Sequence, residues 1–352
     1  MERRKFIISS TLGMGILGLD PANALGINKK HMGVIVHSYA KRWQSKIESN
    51  EYPGFADATD LIAHCHQIGA GGVQVMVRGW TKEFSKKVRD QREKLGLFLE
   101  GSVSLPKTPA DVSDFEKEVI NAREAGARIL RTVCLNGRRY ETFKSAEDFQ
   151  EFKKQSIAAL QRAEPIVRKH KMKLAVENHK DWRADELVAI IKNLDSAWVG
   201  VTLDFGNSIS LLENPMEVVN ALTPYVFSTH VKDMALEEYD KGFLLSEVPL
   251  GQGILDLKAI IAQCKRHNPD INFNLEMITR DPLEVPCLTE EYWATFEGIG
   301  GMELARTLSM VREHKTDSSL PQVSHLNDEQ RLMVEENNVL ECLEYSREVL
   351  DL

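Results

Sequence analysis

The chain has 352 residues, of which 43% are hydrophobic and 27% are charged, and its formal net charge is −8. This length and composition can bury one large core, and they fit a single α/β domain with extensions better than two small domains. The negative charge argues against a nucleic-acid partner, because phosphate binding draws on clustered Lys and Arg. We therefore expect a small-molecule substrate.

The first 24 residues predict an export signal. Arg3 and Arg4 precede Phe6, a modestly apolar stretch covers residues 8–19, and residues 22–24 form a small-x-small cleavage site. The paired arginines resemble a twin-arginine signal; an ordinary basic secretory segment or a frayed terminus is the alternative. The twin-arginine interpretation predicts the Tat translocase as a partner during export, and a periplasmic or otherwise exported location.

Eight strand-like runs alternate with stretches of helical periodicity between residues 31 and 315. This alternation predicts a (β/α)₈ TIM barrel, because a parallel strand needs a crossover helix before the next strand. The predicted strands are 32–37, 72–78, 95–103, 127–135, 173–178, 199–204, 226–231 and 271–277. The predicted helices are 57–68, 84–94, 112–125, 146–169, 184–194, 215–222, 255–267 and 301–314.

Residues 316–352 form the last predicted region. Residues 316–328 have the composition of a linker, and residues 329–350 return to an amphipathic helical pattern. We expect this C-terminal helix to pack on the outside of the barrel. A contact in a homo-oligomer is the other use of such a helix.

Four potential metal ligands stand at the ends of strand-like runs in the second half of the chain: Glu177, Asp204, His230 and Glu276. The carboxyl ends of barrel strands converge on one mouth, so ligands far apart in sequence can meet there. Three carboxylates and one imidazole suit a divalent ion such as Mn²⁺, Mg²⁺, Co²⁺ or Zn²⁺, and the set lacks the thiolates of a closed structural zinc site. A catalytic metal centre is therefore the leading interpretation.

Further polar or aromatic residues near strand ends are candidates for the substrate pocket. His179 and Lys232 lie two residues beyond Glu177 and His230, so they share a face with those ligands. Trp182 can stack on an apolar sugar face, with packing at the barrel rim as the alternative. Residues of this kind also serve as satisfied structural groups. The predicted substrate-binding residues are His179, Lys232, Asn207, Trp182, His37, Glu100 and Arg131.

The motifs Glu177-Asn178-His179, Asp204-Phe205-Gly206-Asn207 and His230-Val231-Lys232-Asp233, with Glu276, resemble the xylose-isomerase-like superfamily of TIM barrels, the sugar phosphate isomerase/epimerase family. The resemblance extends from about His31 to His314. It implies that the Glu, Asp, His and Glu bind one divalent ion, for which Mn²⁺ is favoured. It also implies that Glu177 and Glu276 act as acid and base on opposite faces of the substrate.

The resemblance implies a metal-dependent isomerase or epimerase that transfers a proton through a metal-stabilised enediolate. Asn207 stands where many ketose 3-epimerases carry histidine, and export fits poorly with a phosphorylated metabolite. The expected substrate is therefore an unphosphorylated sugar, keto-sugar or cyclitol. A dehydratase of the inosose or dehydroshikimate type is the main alternative. An endonuclease IV-like phosphodiesterase and a non-catalytic sugar-binding protein are more distant ones.

Overall fold

The computed structural model describes residues 31–314 and 319–352. The predicted export signal lies outside the described residues. Within these ranges, no helix combines the length and apolar character needed to cross a membrane.

Eight parallel strands close into a barrel, which confirms the predicted fold class. Each barrel strand falls within one of the eight predicted runs. Around the barrel the strand order is β1-β10-β7-β6-β5-β4-β3-β2. The described residues contain these strands: β1 (Gly33–Ile35), β2 (Gly72–Met76), β3 (Phe98–Ser102), β4 (Ile129–Thr132), β5 (Lys173–Glu177), β6 (Val199–Asp204), β7 (Val226–Val231), β8 (Asp233–Tyr239), β9 (Gly242–Val248), β10 (Phe273–Leu275) and β11 (Leu283–Val285).

Helices follow the barrel strands as predicted, and side chains or glycine fix several of their ends. The side chains of Thr81 and Ser145 accept hydrogen bonds from backbone N–H groups in the first turns of α2 and α5. Gly96 ends α2 with a φ of +70°, a conformation that costs glycine little. The helices are α1 (Ala58–Gln67), α2 (Lys82–Leu95), α3 (Val112–Glu124), α4 (Arg139–Thr142), α5 (Ala146–Lys169), α6 (Ala184–Leu194), α7 (Pro215–Leu222), α8 (Leu257–His267), α9 (Glu290–Trp293), α10 (Gly301–Glu313) and α11 (Asp328–Glu348).

The main core lies between the outer face of the barrel and the helix ring. Parallel strands covered by helices are buried on both faces, so their sequences read as apolar runs. Fully buried strand residues include Val34, Val73, Val75, Leu130, Leu174, Val176, Val201 and Leu203. The helices present Leu61, Val88, Val119, Leu160 and Leu187 to them, all fully buried. This packing holds the strand ends in fixed positions.

A three-stranded antiparallel sheet of β8, β9 and β11 was not among the predicted elements. Strand β8 begins directly after Lys232 and pairs with β9 across a tight turn, with Tyr239 opposite Gly242. Two apolar runs around the sequence Asp240-Lys241-Gly242 were the available signal for this hairpin. At its base, the carboxylate of Asp233 accepts backbone N–H groups of Gly251, Gly253 and Leu255, which closes the following loop.

Helix α11 packs on its own barrel. Its residues Val339 and Leu343 are buried in the main core, and Leu332 on the same helix is also buried. Glu335 on the same helix accepts the backbone N–H groups of Lys41 and Arg42, which lie in the loop after β1. The C-terminal helix is therefore tied to the rim of the barrel mouth.

Candidate metal centre and substrate pocket

The four predicted ligands meet at the carboxyl ends of four neighbouring strands. Glu177 and Asp204 are the last residues of β5 and β6, His230 lies near the end of β7, and Glu276 follows β10 directly. These strands are contiguous in the barrel, and Asp204 lies opposite His230 in the β6–β7 register. One potential ligand atom from each residue lies within 4.8 Å of the other three. The predicted convergence is therefore observed.

The chemistry of this cluster fits a divalent cation. All four side chains are buried, and Nδ1 of His230 has no hydrogen-bond partner among the described residues. That nitrogen faces Glu177 Oε2 at 3.4 Å, Glu276 Oε2 at 3.6 Å and Asp204 Oδ2 at 3.9 Å. Three buried carboxylates crowded around one imidazole nitrogen repel each other, and an ion between them removes the repulsion.

Gln74 and Glu100 orient the imidazole of His230. The Nε2–H group of His230 donates to Gln74 Oε1 at 2.8 Å, and the amide nitrogen of Gln74 donates to Glu100 Oε2 at 3.0 Å. Because a carboxylate oxygen accepts, this fixes the amide orientation of Gln74 and directs Nδ1 of His230 to the cluster. Our sequence reasoning missed Gln74, although a polar residue inside the apolar run of β2 was a usable signal.

Two cations neutralise part of the negative charge of the cluster. The guanidinium of Arg131 pairs with Glu177, with Nε 2.6 Å from Oε2. The ammonium of Lys232 lies 2.5 Å from Glu276 Oε2 and 2.8 Å from Asp204 Oδ2. Both Arg131 and Lys232 are buried, so these pairs are shielded from solvent.

These charges control the pKa values of the cluster. Burial favours the neutral acid, but the guanidinium of Arg131 and the charge of His230 hold the pKa of Glu177 well below its usual range. For Glu276, Lys232 and His230 likewise outweigh burial and lower the pKa. Burial raises the pKa of Asp204 to about 6, against the opposing effect of Lys232. Glu177 and Glu276 are therefore held ionised near neutral pH.

A cavity of about 1570 Å³ opens above the cluster. Its wall includes Glu276, whose Oε1 faces Nδ1 of His37 at 3.4 Å. His179 also lines it, and burial lowers the pKa of this imidazole to about 3, so the ring stays neutral. Six residues predicted for the site line the cavity: His37, Arg131, His179, Asn207, Lys232 and Glu276.

Lys180 and the pair of Arg280 and Glu247 also belong to this region, and sequence reasoning did not identify them. The ammonium of Lys180 donates to Asn207 Oδ1, and Asn207 Nδ2 donates to Glu177 Oε1 at 3.1 Å. Arg280 lies 2.5 Å from Glu247 Oε1. Burial, together with the positive charges of Lys232 and Arg280, lowers the pKa of Lys180 to about 8. The position of Lys180 directly after His179 was the only sequence signal.

Two of the predicted substrate-binding residues do not line the cavity. Trp182 is fully buried in the main core and stacks on Phe152 with a ring-centroid distance of 5.0 Å. It has no ring face free for a sugar, so the stacking role is corrected to a packing role. Glu100 lies inside the barrel beneath His230 and accepts four hydrogen bonds, which makes it a structural support.

The sequence comparison decides the family. Residues 62–295 match the sequence profile of the family described as "Xylose isomerase-like TIM barrel". The chain belongs to this family. The match includes β5 to β10 and with them all four residues of the metal cluster.

Individual relatives differ in activity. The 3-oxo-isoapionate decarboxylase of Pectobacterium atrosepticum is 24% identical over 270 residues, which cover 74% of this chain and 92% of that protein. Two solved structures share the fold. A xylose isomerase-like TIM barrel protein from Mycobacterium smegmatis in complex with magnesium has a TM-score of 0.55 and 16% identity, covering 79% of this chain and 97% of that one. D-psicose 3-epimerase in the presence of D-fructose has a TM-score of 0.60 and 13% identity, and the match covers 92% of this chain and 100% of that one.

Proposed function

We propose that this chain is a divalent-metal-dependent enzyme that isomerises or epimerises a keto-sugar or cyclitol through an enediolate. The observation that carries the proposal is the buried cluster of Glu177, Asp204, His230 and Glu276, of which Glu276 lines the mouth cavity. Enolisation needs a carboxylate base beside a site that stabilises negative charge on oxygen, and this cluster offers both.

Glu177, Asp204, His230 and Glu276 are the residues that would hold the ion. When bound, a divalent ion supplies Lewis-acid stabilisation of the negative charge that develops on the substrate oxygens. Mn²⁺ is the ion we favour, because carboxylate-rich sets with one imidazole suit it. The relative solved with magnesium is compatible with an ion of this hard, oxygen-preferring type.

The two glutamates divide the proton transfer. Glu276 reaches the cavity wall, and one of its oxygens faces only His37, so it is placed to remove a proton next to the substrate carbonyl. Glu177 is the partner that returns a proton from the other side in an epimerisation. Positioned acid and base groups of this kind contribute roughly 10²–10⁴-fold to the rate.

Buried cations support the charged intermediate. Lys232 and Arg131 lie against the carboxylates of the cluster and line the cavity. In a site shielded from water, their fields stabilise an enediolate more strongly than they would in bulk solvent. Electrostatic stabilisation therefore supplies much of the remaining acceleration.

A decarboxylase acting on a 3-oxo sugar acid is the second candidate. Both oxygens of Glu177 are already engaged, one by Arg131 and one by Asn207, which leaves Glu276 as the carboxylate open to the cavity. Decarboxylation of a 3-oxo acid needs no base: the bond to the carboxyl carbon breaks, CO₂ leaves, the electron pair enters the enolate, and one proton returns to carbon. The decarboxylase relative gives this candidate additional weight.

Export by the twin-arginine route remains part of the proposal. It rests on Arg3, Arg4 and the apolar segment that follows them. Cell fractionation of the native chain and of an Arg3→Lys, Arg4→Lys variant tests it, and retention of only the variant inside the cytoplasm is the expected result. An equal distribution of both chains would contradict it.

The decisive experiment uses the full chain with Mn²⁺ in D₂O. The substrates are free ketoses, keto-sugars, inososes and a freshly prepared 3-oxo sugar acid, whose uncatalysed loss of CO₂ is subtracted. Deuterium uptake next to the carbonyl, followed by NMR, is expected with at least one substrate. The product then distinguishes isomerase, epimerase and dehydratase, while CO₂ release identifies the decarboxylase.

Two variants make the result specific. Glu276→Gln keeps the shape of the side chain and is expected to abolish exchange. Glu284→Gln changes an exposed carboxylate on β11 and is expected to leave exchange unchanged. Absence of exchange and of CO₂ release with every substrate, or equal activity of Glu276→Gln and the native chain, would overturn the proposed function.

A further inference from the structure

The cavity wall contains one buried cation without a carboxylate partner. Lys180 is only 4% exposed and lines the cavity. Its ammonium group has a single hydrogen-bond partner among the described residues, the amide oxygen of Asn207. A buried ammonium group without an opposite charge is costly, and such groups are normally paired.

The neighbouring cations are all paired. Lys232 contacts the carboxylates of Asp204 and Glu276, and Arg131 contacts Glu177. Arg280 forms two hydrogen bonds with Glu247, whose side chain is 1% exposed. Lys180 is therefore the exception in this part of the described structure.

In the layer formed by the cluster and the cavity wall, four carboxylates stand against four cationic side chains. The imidazole of His230 is counted as neutral there, because an imidazole that ligates a metal is deprotonated. A divalent ion in the cluster leaves an excess of two positive charges inside a buried wall. Enolisation does not reduce this excess, because the proton that leaves the substrate neutralises the carboxylate of Glu276 while one negative charge develops on the substrate. An anionic group carried by the substrate does reduce it. The residues counted are Glu177, Asp204, Glu276, Glu247, Arg131, Lys180, Lys232 and Arg280.

We infer that Lys180 receives the carboxylate of the substrate, which makes the substrate a keto-sugar acid instead of a neutral sugar. This inference rests on the proposed function, because the carbonyl end of the same molecule occupies the metal cluster. Asn207 bridges the two ends: its amide oxygen accepts from Lys180 and its amide nitrogen donates to Glu177.

A carboxylate fits better than a phosphate ester. Lys180 offers one ammonium group, and the neighbouring cations Lys232 and Arg280 are already engaged by carboxylates. Phosphate sites normally combine several donors, among them backbone N–H groups and the fork of an arginine. A single ammonium group matches one monoanionic group.

Binding measurements on matched ligands test the inference. D-Fructose, D-fructuronate and D-fructose 6-phosphate share one ketose chain and differ only in the group at the far carbon. Each is titrated calorimetrically into the full chain loaded with Mn²⁺. We expect D-fructuronate to bind about tenfold or more tightly than D-fructose, because a charge-assisted hydrogen bond to Lys180 is added.

Lys180→Met removes the charge and keeps most of the side-chain length. It is expected to weaken D-fructuronate binding about 10- to 100-fold and to change D-fructose binding less than about threefold. Lys107→Met is the matched control, because Lys107 is an exposed lysine on the wall of the same cavity. This substitution is expected to change the affinity for D-fructuronate less than about twofold. Mn²⁺ affinity of Lys180→Met should equal or exceed that of the native chain, since a positive charge is removed.

Several outcomes would overturn the inference. One is equal dissociation constants for D-fructuronate and D-fructose. The others are an equal loss of affinity for both ligands in Lys180→Met, and no binding of any of the three ligands. If only D-fructose 6-phosphate bound more tightly than D-fructose, and only when Lys180 is present, the group that Lys180 binds would be a phosphate ester instead of a carboxylate.

The binding test of Lys180 and the exchange test of the proposed function can fail independently of each other. Tight, Lys180-dependent binding of D-fructuronate without solvent exchange for any substrate would leave the carboxylate site standing and reject enolisation. Solvent exchange with neutral ketoses, combined with equal affinity for D-fructuronate and D-fructose, would support enolisation and reject the carboxylate site.

Discussion

Two layers of polar side chains lie one above the other inside the barrel, and they differ in how completely their hydrogen bonds are satisfied. The upper layer is the candidate metal cluster, in which Nδ1 of His230 has no hydrogen-bond partner among the residues that the structure describes. The lower layer surrounds Glu100, which accepts from Gln74, Ser228, Asn272 and Asn274.

The two layers are linked by strand geometry. Ser228 precedes His230 by two residues on β7, and Asn274 precedes Glu276 by two residues, so each pair points to the same side of its strand. Both layers contain buried carboxylates, but those of the upper layer crowd around Nδ1 of His230, while in the lower layer four protein donors surround Glu100. A satisfied buried carboxylate indicates a structural role, while a crowded and incompletely satisfied set indicates a ligand site.

The largest expected effect is in the upper layer. Glu276→Gln removes both a proposed ligand and the proposed base that reaches the cavity, so we expect turnover to fall at least about 10³-fold. For the native chain, Mn²⁺ at 100 times its dissociation constant should raise the free energy of unfolding by about 2.7 kcal/mol. Thermal unfolding with and without Mn²⁺ measures this, and an equal Mn²⁺ effect in Glu276→Gln would contradict the ligand assignment.

A substitution in the lower layer should reduce the stability of the folded chain. Glu100→Gln places an amide nitrogen among four donors, so at least one donor loses its acceptor inside the barrel. We expect the free energy of unfolding to fall by about 3 kcal/mol, measured by urea denaturation. The variant should still be stabilised by Mn²⁺. A variant that kept its stability and lost the Mn²⁺ effect would reverse the roles of the two layers.

Glu335 extends the comparison to a satisfied carboxylate outside the barrel. Burial raises its pKa to about 7, against the opposing hydrogen bonds from the backbone of Lys41 and Arg42. The folded chain therefore binds a proton that the unfolded chain has released between its ordinary pKa of 4.5 and about 7. This group lowers the stability of the folded state as pH rises through that window.

The pH effect of Glu335 is measured as a difference. The native chain should lose stability relative to Glu335→Gln between about pH 4.5 and 7, by at most about 3 kcal/mol. Urea denaturation of both chains across this range gives the difference. If the difference is independent of pH, the carboxylate of Glu335 does not titrate in the folded chain as described.

The smallest expected effect concerns the residue that joins the two layers. Gln74→Leu leaves Nε2 of His230 without its acceptor and frees the imidazole to rotate. Loss of such a support typically costs 10- to 100-fold in metal affinity, which we expect for Mn²⁺ measured by calorimetry. Unchanged affinity would show that the barrel wall alone orients His230.

Local sequence patterns predicted the alternation of strands and helices and the four candidate ligands at the ends of their strands. The reason is local: apolar runs bounded by polar residues mark strands buried on both faces, and glycine or capping residues mark helix ends. Gly96 and Glu177 are examples, since each is recognised from its immediate neighbours. Because all barrel strands end at one mouth, this local information also predicted that the ligands converge.

The partners of the remaining polar and aromatic residues depend on long-range contacts in the folded chain. Glu100 lies in the middle of β3, two residues before that strand ends, so it faces the barrel interior below the ligand layer instead of the cavity. Trp182 follows a strand end but turns into the core against Phe152. The pairing of Lys180 with Asn207 joins loops after two different strands. Such contacts depend on the stagger of the strands and the packing of the helix ring, which no local pattern records.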